Sequence, residues 1–353
     1  MYKIVNGVQH VGVGVYNHAE SWKWYRKFFG LDVPFFNAEA AAPLMDIYTN
    51  NETITKQAAM VMNLQGGGAM EVVQPTSCTP KGPDFEVQLG DYGIFVTQVK
   101  SKDVAGAYQY FKENGAEVLG EISKTPNGLA CFCVKDPNGL IFQIVAGNDW
   151  YSKPTYATGG IAGCTIGVSN IERSCELYSE LMGYEKVVYD ETGVFEDWNN
   201  VLPGGQHQFR RVKLVQKESP TGGFGKLSGP LWIELVQVID REPRKIYENR
   251  IWGDVGFVHL GFDVRGMAKL GEDLAAKGFP FTCDSSNGLH MGKTRVHCTY
   301  IEDPDGTLLE LIEVYKIPLI EKWGWFMNVE KRDPKKPLPS FMLKAMRFSR
   351  VKD

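Results

Sequence analysis

Asp136-Pro137-Asn138-Gly139-Leu140-Ile141-Phe142-Gln143-Ile144 and Asp303-Pro304-Asp305-Gly306-Thr307-Leu308-Leu309-Glu310-Leu311 share one frame. In each, an Asp-Pro-Asx-Gly turn leads into an apolar run that reads as a buried strand. Proline sets one dihedral of such a turn and glycine permits a positive one. Upstream of each turn lies a strand, then an amphipathic segment that ends at glycine: roughly 103–114 before Gly115, and roughly 267–277 before Gly278. Glycine there is the usual helix stop. Two further segments match each other. His10-Val11-Gly12-Val13 precedes a helical pattern near 19–29 and Gly30, and Thr165-Ile166-Gly167-Val168 precedes one near 171–182 and Gly183. Each closes on a related strand after a glycine-containing loop, Glu71-Val72-Val73-Gln74 and Glu234-Leu235-Val236-Gln237.

The chain therefore reads as four strand–helix–multistrand units, near 5–75, 88–147, 160–240 and 255–315. The expected class is α+β: four βαβββ modules forming two cupped mixed sheets, made by internal duplication. An N-terminal half, 1–147, is joined by a Pro- and Tyr-containing linker, 148–158, to a C-terminal half, 160–315, and an extension follows at 316–353. Order, helix placement and turn chemistry recur together, which coincidental turns in an unrelated protein would not do.

Bulk properties narrow the function. The 353 residues are 43% hydrophobic and 23% charged, which are globular values. A net charge of −4 gives no support to nucleic-acid binding, and no apolar run is long enough to span a bilayer. The start, Met1-Tyr2-Lys3-Ile4-Val5, leads into a strand-like segment and does not read as a signal peptide. None of the seven cysteines forms a Cys-x-x-Cys pair, and Cys131 and Cys133 alternate as small core thiols would, so a cytoplasmic location is expected.

The βαβββ frame, the His-x-Gly start, the Asp-Pro-Asx-Gly turn and the closing-strand Glu together resemble the vicinal oxygen chelate superfamily. That superfamily includes glyoxalase I, methylmalonyl-CoA epimerase and extradiol ring-cleaving dioxygenases. The resemblance covers nearly all of residues 4–315. It implies that two units join into a cupped sheet whose metal ligands come from the first and last strands of each unit. On that reading unit one offers His10 and Glu71, and unit two offers Tyr92 or Gly93 with Gln143. Unit three offers Thr165 and Glu234, and unit four offers His259 and Glu310. Pairing of neighbours would give two incomplete sets: His10, Glu71 and Gln143, and Glu234, His259 and Glu310. Pairing of unit one with unit four collects His10, Glu71, His259 and Glu310 in one cup, as in some swapped glyoxalases and four-unit hydroquinone dioxygenases. Duplication followed by decay of one site favours this second arrangement. Two imidazoles and two carboxylates suit one divalent ion, Ni, Co, Zn, Mn or Fe(II), with two positions left for water or substrate.

A lone His on an apolar strand is ordinarily a hydrogen-bonded core residue; it is the match to a repeated position that makes His10 and His259 ligand candidates. Glu71 and Glu310 carry more weight singly, because carboxylates are seldom buried without a partner. Glu234 then needs a partner of its own, Arg210 or Arg211. His297 is a candidate acid or base facing the cup, although a structural role is commoner. His207, Arg210 and Arg211 are candidates for an anionic substrate group, with a solvated strand face as the ordinary alternative. The stretch Thr221-Gly222-Gly223-Phe224-Gly225-Lys226-Leu227-Ser228-Gly229 lacks the strand–loop–helix context of a phosphate cradle and is expected to be a loop. The extension, with Trp323, Trp325, Phe326, Phe341 and Phe348, is expected to pack on the body, cover the cup or form a homodimer contact, with a short helix near 342–348.

The resemblance implies a small-molecule substrate and two enzyme classes. One is a glyoxalase- or epimerase-like lyase or isomerase in which Glu310, or alternatively Glu71, carries a proton. The other is an extradiol-type dioxygenase of a catechol or hydroquinone, with His10, His259 and Glu310 on Fe(II). A third class, a metal-free antibiotic-binding protein, would leave a buried His and Glu set without use.

Overall fold

The structure, a computed structural model, describes residues 3–218, 220–286, 289–291, 294–320, 324–330 and 332–352. Two curled mixed sheets carry the strands, numbered in chain order. Along the first sheet run β14 (Cys283–Asp284), β16 (Thr294–Glu302), β17 (Leu308–Ile320), β13 (Gly256–Arg265), β1 (Ile4–Gly14), β4 (Ala69–Pro75), β3 (Thr55–Met62) and β2 (Val33–Ala41). In addition β15 (Leu289–Met291) pairs with β16, and β18 (Trp325–Asn328) with β17. The second sheet runs β10 (Lys186–Gly193), β11 (Phe209–Val215), β12 (Trp232–Val238), β9 (Ile161–Gly167), β5 (Gly93–Ser101), β8 (Ile141–Ala146), β7 (Ala130–Lys135) and β6 (Glu117–Lys124). Each sheet thus takes one unit from each half of the sequence. Units one and four meet through the antiparallel pair β1–β13, and units two and three through β5–β9.

Sequence neighbours meet in another way, through their helices. Helix α1 (His18–Phe29) starts on an Asn17 cap that accepts the Glu20 N–H, and α2 (Val104–Glu113) starts on an Asp103 cap that accepts the Gly106 N–H. They pack together at Phe28 and Phe111, whose ring centroids are 4.8 Å apart. Tyr25 of α1 donates at 2.6 Å to Asp136, the aspartate of the unit-two turn. The second half repeats the device. A short helix α3 (Ile171–Cys175) runs into a wider π-type turn, Glu176–Leu181, where an unbroken helix is expected from the sequence pattern. The wide turn carries Tyr178, which donates to Asp303 at 2.9 Å. Both aspartates also accept two backbone N–H groups within their own turns.

Two segments outside the strand frame pack into the core of the first cup. The glycine-rich stretch forms a short helix, α4 (Gly225–Ser228), and Leu227 is buried in the cup core. Helix α5 (Met267–Ala276) belongs to unit four. The extension packs on the body through Val329, Leu338, Leu343 and Met346, and its helix α6 (Ser340–Ala345) continues as a tight turn to Ser349. Phe341 stays exposed, and Trp323 lies outside the described residues. The cysteines are free thiols, and burial pushes Cys133 well above its ordinary value. No described helix is long and apolar enough to cross a membrane.

Candidate metal centre

Strand alternation places His10 of β1, Glu71 of β4, His259 of β13 and Glu310 of β17 on the concave face of the first sheet, all buried. One donor atom from each lies within 4.8 Å of the others. His10 Nε2 is 3.0 Å from His259 Nε2 and 3.1 Å from Glu310 Oε2, while His259 Nε2 is 3.3 Å from Glu71 Oε2. Across β1 and β13, His10 is opposite Gly261 and His259 is opposite Gly12. A Cβ on Gly12 would sit 2.3 Å from the His259 ring, and one on Gly261 would sit 2.0 Å from the His10 ring. The two glycines are therefore the floor on which the imidazoles lie.

The donor set fits a cation. His10 Nδ1 is 3.2 Å from the Gln9 amide oxygen, an acceptor that suits an Nδ1–H donor, and Nε2 faces inward. His10 Nε2 meets Glu310 Oε2, and His259 Nε2 meets Glu71 Oε2; two buried carboxylates this close together are costly unless positive charge lies among them. Donors held at right angles around one ion at ~2.1 Å stand about 3.0 Å apart, close to the separations here. Glu310 Oε2 and His259 Nδ1 have no hydrogen-bond partner among the described residues.

The outer oxygens of the carboxylates are held differently. Glu310 Oε1 accepts from Tyr300 Oη at 2.7 Å and from Cys298 Sγ at 3.1 Å. Burial pushes the Tyr300 hydroxyl well up, with Glu310 beside it, so it remains a neutral donor. Glu71 Oε1 faces Lys56 Nζ at 3.4 Å, and that ammonium lies 4.7 Å from the centre of the Trp252 ring. Burial pushes the Glu71 carboxyl up, but Lys56, His259 and His10 outweigh it and hold it below the ordinary carboxylate range. For Glu310 burial is likewise outweighed, chiefly by His259 and His10. A cavity of about 130 Å³ reaches Glu71 and Glu310, walled by Phe36, Ala38, Lys56, Trp252 and Tyr300.

The second sheet carries the same frame with other side chains, and its register corrects two sequence expectations. Thr165 is opposite Val96, Gln98 is opposite Gly163, Glu234 lies beside Thr165, and Gln143 beside Gln98. The matching pairs of the first sheet are Gly12–His259, His10–Gly261, Gly12–Glu71 and Gly261–Glu310. Gly163 and Val96 therefore stand where the two histidines stand in the first cup. Thr165, Tyr92 and Gly93 do not occupy ligand positions. In the sheets, His10-Val11-Gly12 and Thr165-Ile166-Gly167 are offset by two residues. Gly167 corresponds to Gly14, since a Cβ on either would meet a loop carbonyl, Asp91 O at 1.9 Å or Asp254 O at 2.0 Å. In unit two, a bulge between Ile94 and Val96 also shifts the count. Thr165 and Gln98 fill the space that Gly12 and Gly261 leave open for imidazoles, and Gln98 Nε2 donates to Thr165 Oγ1 at 2.7 Å.

A guanidinium supplies the positive charge in the second cup. Buried Arg211 donates to Glu234 Oε1 at 2.8 Å and to both oxygens of Asp197 at 2.8 and 3.0 Å. This is the partner that Glu234 requires. Arg210 points the other way, to Asp190 and Glu172 at the surface, and His207 pairs with Asp240. His297 is on the face of β16 opposite Cys298 and Tyr300 and pairs with Asp284 at 2.7 Å, so it does not face the cup. Lys56, Trp252, Cys298, Tyr300 and Asp197 were not singled out from sequence. The alternation of Cys298 and Tyr300 along one strand is the signal that could have found two of them.

A family model described as the Glyoxalase/Bleomycin resistance protein/Dioxygenase superfamily matches residues 7–144 and again 160–311. No curated protein matches the sequence. Among solved structures, glyoxalase I from Zea mays is 15% identical, with 88% of this chain and 92% of that chain covered and a TM-score of 0.55. A candidate dioxygenase from Bacillus subtilis is also 15% identical, with coverage of 88% and 86% and a TM-score of 0.56. These likenesses concern the fold.

Proposed function

Because the chain belongs to the glyoxalase/bleomycin resistance protein/dioxygenase superfamily, we propose that it is a divalent-metal-dependent lyase or isomerase of the glyoxalase and epimerase kind. Its substrate is a small molecule that presents two adjacent oxygens. The supporting observation is the convergence of four donors, His10, Glu71, His259 and Glu310, two of them carboxylates, at one buried point. These four would hold the ion, which is Ni, Co, Zn, Mn or Fe(II) by the chemistry of the donors. Bound there, such an ion supplies Lewis acidity toward the paired oxygens of the substrate.

The protein's own groups then handle the proton. Glu310 is the stronger candidate for its carrier. Tyr300 and Cys298 anchor Oε1, which leaves Oε2, the oxygen without a hydrogen-bond partner among the described residues, to accept a proton from a neighbouring C–H and return it. Glu71 is the alternative, with Lys56 balancing its charge. Phe36, Ala38 and Trp252 wall the cavity and keep water from the reacting carbon.

A second reading rests on Lys56. Its contact with Glu71 gives that carboxylate a counter-ion other than a metal. His10, His259 and Glu310 alone would then hold Fe(II) for an extradiol-type dioxygenase. Two measurements on the purified protein separate the readings: elemental analysis, combined with oxygen uptake on a catechol and hydroquinone panel, and deuterium incorporation into α-hydroxycarbonyl compounds in D2O. Deuterium incorporation without oxygen uptake supports the isomerase. Bound iron with oxygen uptake overturns it.

A further inference from the structure

The cavity of about 130 Å³ beside the four donors owes its space to alanines. Lys56 reaches Glu71 from β3, so its side chain points into the cup, and Ala58, two residues on, shares that face. Ala38 and Ala40 of β2 stand opposite Ala58 and Lys56 in register, and all three alanines line the cavity. Strands ordinarily favour β-branched and aromatic residues over alanine, and a residue of that bulk at 38 or 58 would fill the space. The tight turn Pro43–Tyr48, which follows β2, adds Leu44 and Met45 to the wall, and Phe36 and Trp252 continue it. Ala58 and Met45 are buried, whereas Ala40, Ala41 and Pro43 are exposed and mark the mouth.

Size and polarity bound what enters. An apolar cavity of roughly 150 Å³ holds one benzene, so about 130 Å³ accommodates one ring or a branched alkyl group of similar bulk. Among the described residues of the lining, Lys56 is the one cation, and it already faces Glu71 at 3.4 Å. An anionic group on the body of the substrate would lie against apolar walls and two carboxylates with no counter-ion of its own, which is costly. An aromatic or branched-alkyl body meets no such cost and gains from leaving water. We propose that the substrate carries its two adjacent oxygens on an uncharged apolar body about one ring in size, and that Ala38 and Ala58 set that size. The inference rests on the metal-dependent reading of the same site and adds the chemical class of the substrate to it.

The test uses the full-length protein, equilibrated with Zn(II) and freed of excess metal, and three chelators that share one hydroxamate head: acetohydroxamate, benzohydroxamate and 4-carboxybenzohydroxamate. Calorimetric titration gives each affinity for the parent protein and for Ala58→Leu and Ala38→Leu. Ala38 is only half-buried, so its variant decides the matter if the deeper one fails to fold. Benzohydroxamate is expected to bind at least ~10-fold tighter than acetohydroxamate, the scale of moving a phenyl ring out of water, and at least ~10-fold tighter than its 4-carboxy form. In each folded variant the phenyl-over-methyl ratio is expected to fall to about one, because the added carbons occupy the space of the ring. Benzohydroxamate no tighter than acetohydroxamate, a 4-carboxy form that binds as well as benzohydroxamate, or a ratio that a folded variant leaves at its parental value overturns the proposal; the metal-dependent reading then stands, because the chelators still bind. Protein that takes up no metal, or that takes it up and binds none of the three, overturns that reading and the proposal with it.

Discussion

Replacing Gly12 by alanine tests the metal centre without altering any of its donors. The new Cβ would lie 2.3 Å from the His259 ring, whereas ordinary contact begins at 3.4 Å, so the ring or the strand must retreat by about 1.1 Å. Ligand distances in a working metal site tolerate only about ±0.2 Å, so His259 leaves the set. The cost to folding is modest, roughly 1–3 kcal/mol, as for other overpacked positions. The variant is therefore expected to fold and yet to lose most of its metal, with affinity at least ~100-fold weaker. Metal content by elemental analysis, read beside chemical denaturation of the same preparation, measures both quantities. Thr165→Gly in the second cup, the matching position, is the control and should leave metal content unchanged. A folded Gly12→Ala protein that retains stoichiometric metal at parental affinity would refute the reasoning, because the imidazole could not then be where the ion is.

Other outcomes follow from the same geometry. Glu71→Gln should lower isomerase turnover by roughly 100-fold or more, because it removes one of the two carboxylate donors of the four-donor set; a mild effect on turnover with oxygen uptake retained would point to the three-ligand dioxygenase. Arg211→Met should cost roughly 3–5 kcal/mol in chemical denaturation, because it strands Glu234 and Asp197 in the interior, whereas Arg210→Met, at the surface, should cost about 1 kcal/mol or less. Desolvation, opposed by Arg265 and Asn6, raises half-buried Asp263 from its ordinary 3.8 to about 6. Between these values the folded protein holds more protons than the unfolded chain, so this group's contribution to stability falls as pH rises from about 4 to 6. Denaturation of the parent relative to Asp263→Asn should show that decline, and a difference that stays flat across the window would contradict it.

Local chemistry by itself determined much of this protein. The Asp136 and Asp303 turns and the glycine stops are decided by residues a few positions apart, so they could be read directly. His10, Glu71, His259 and Glu310 stood out for a related reason, since a repeat compares each position with its counterparts. The tertiary structure decided what lies between them. His10 and His259 are 249 positions apart, and only the β1–β13 pairing makes them neighbours. Strand register was beyond the motif, because a bulge or a one-residue slip moves every side chain to the other face. Thr165 resembles a ligand position that Gly163 holds because the motif's glycine is offset by two residues, which keeps the face, whereas His297, one residue from Cys298, faces away from the cup. The contacts of Lys56 with Glu71, and of Arg211 with Glu234, depend on the same cross-strand geometry. One cup brings two carboxylates and two imidazoles to a point; the other closes around a guanidinium.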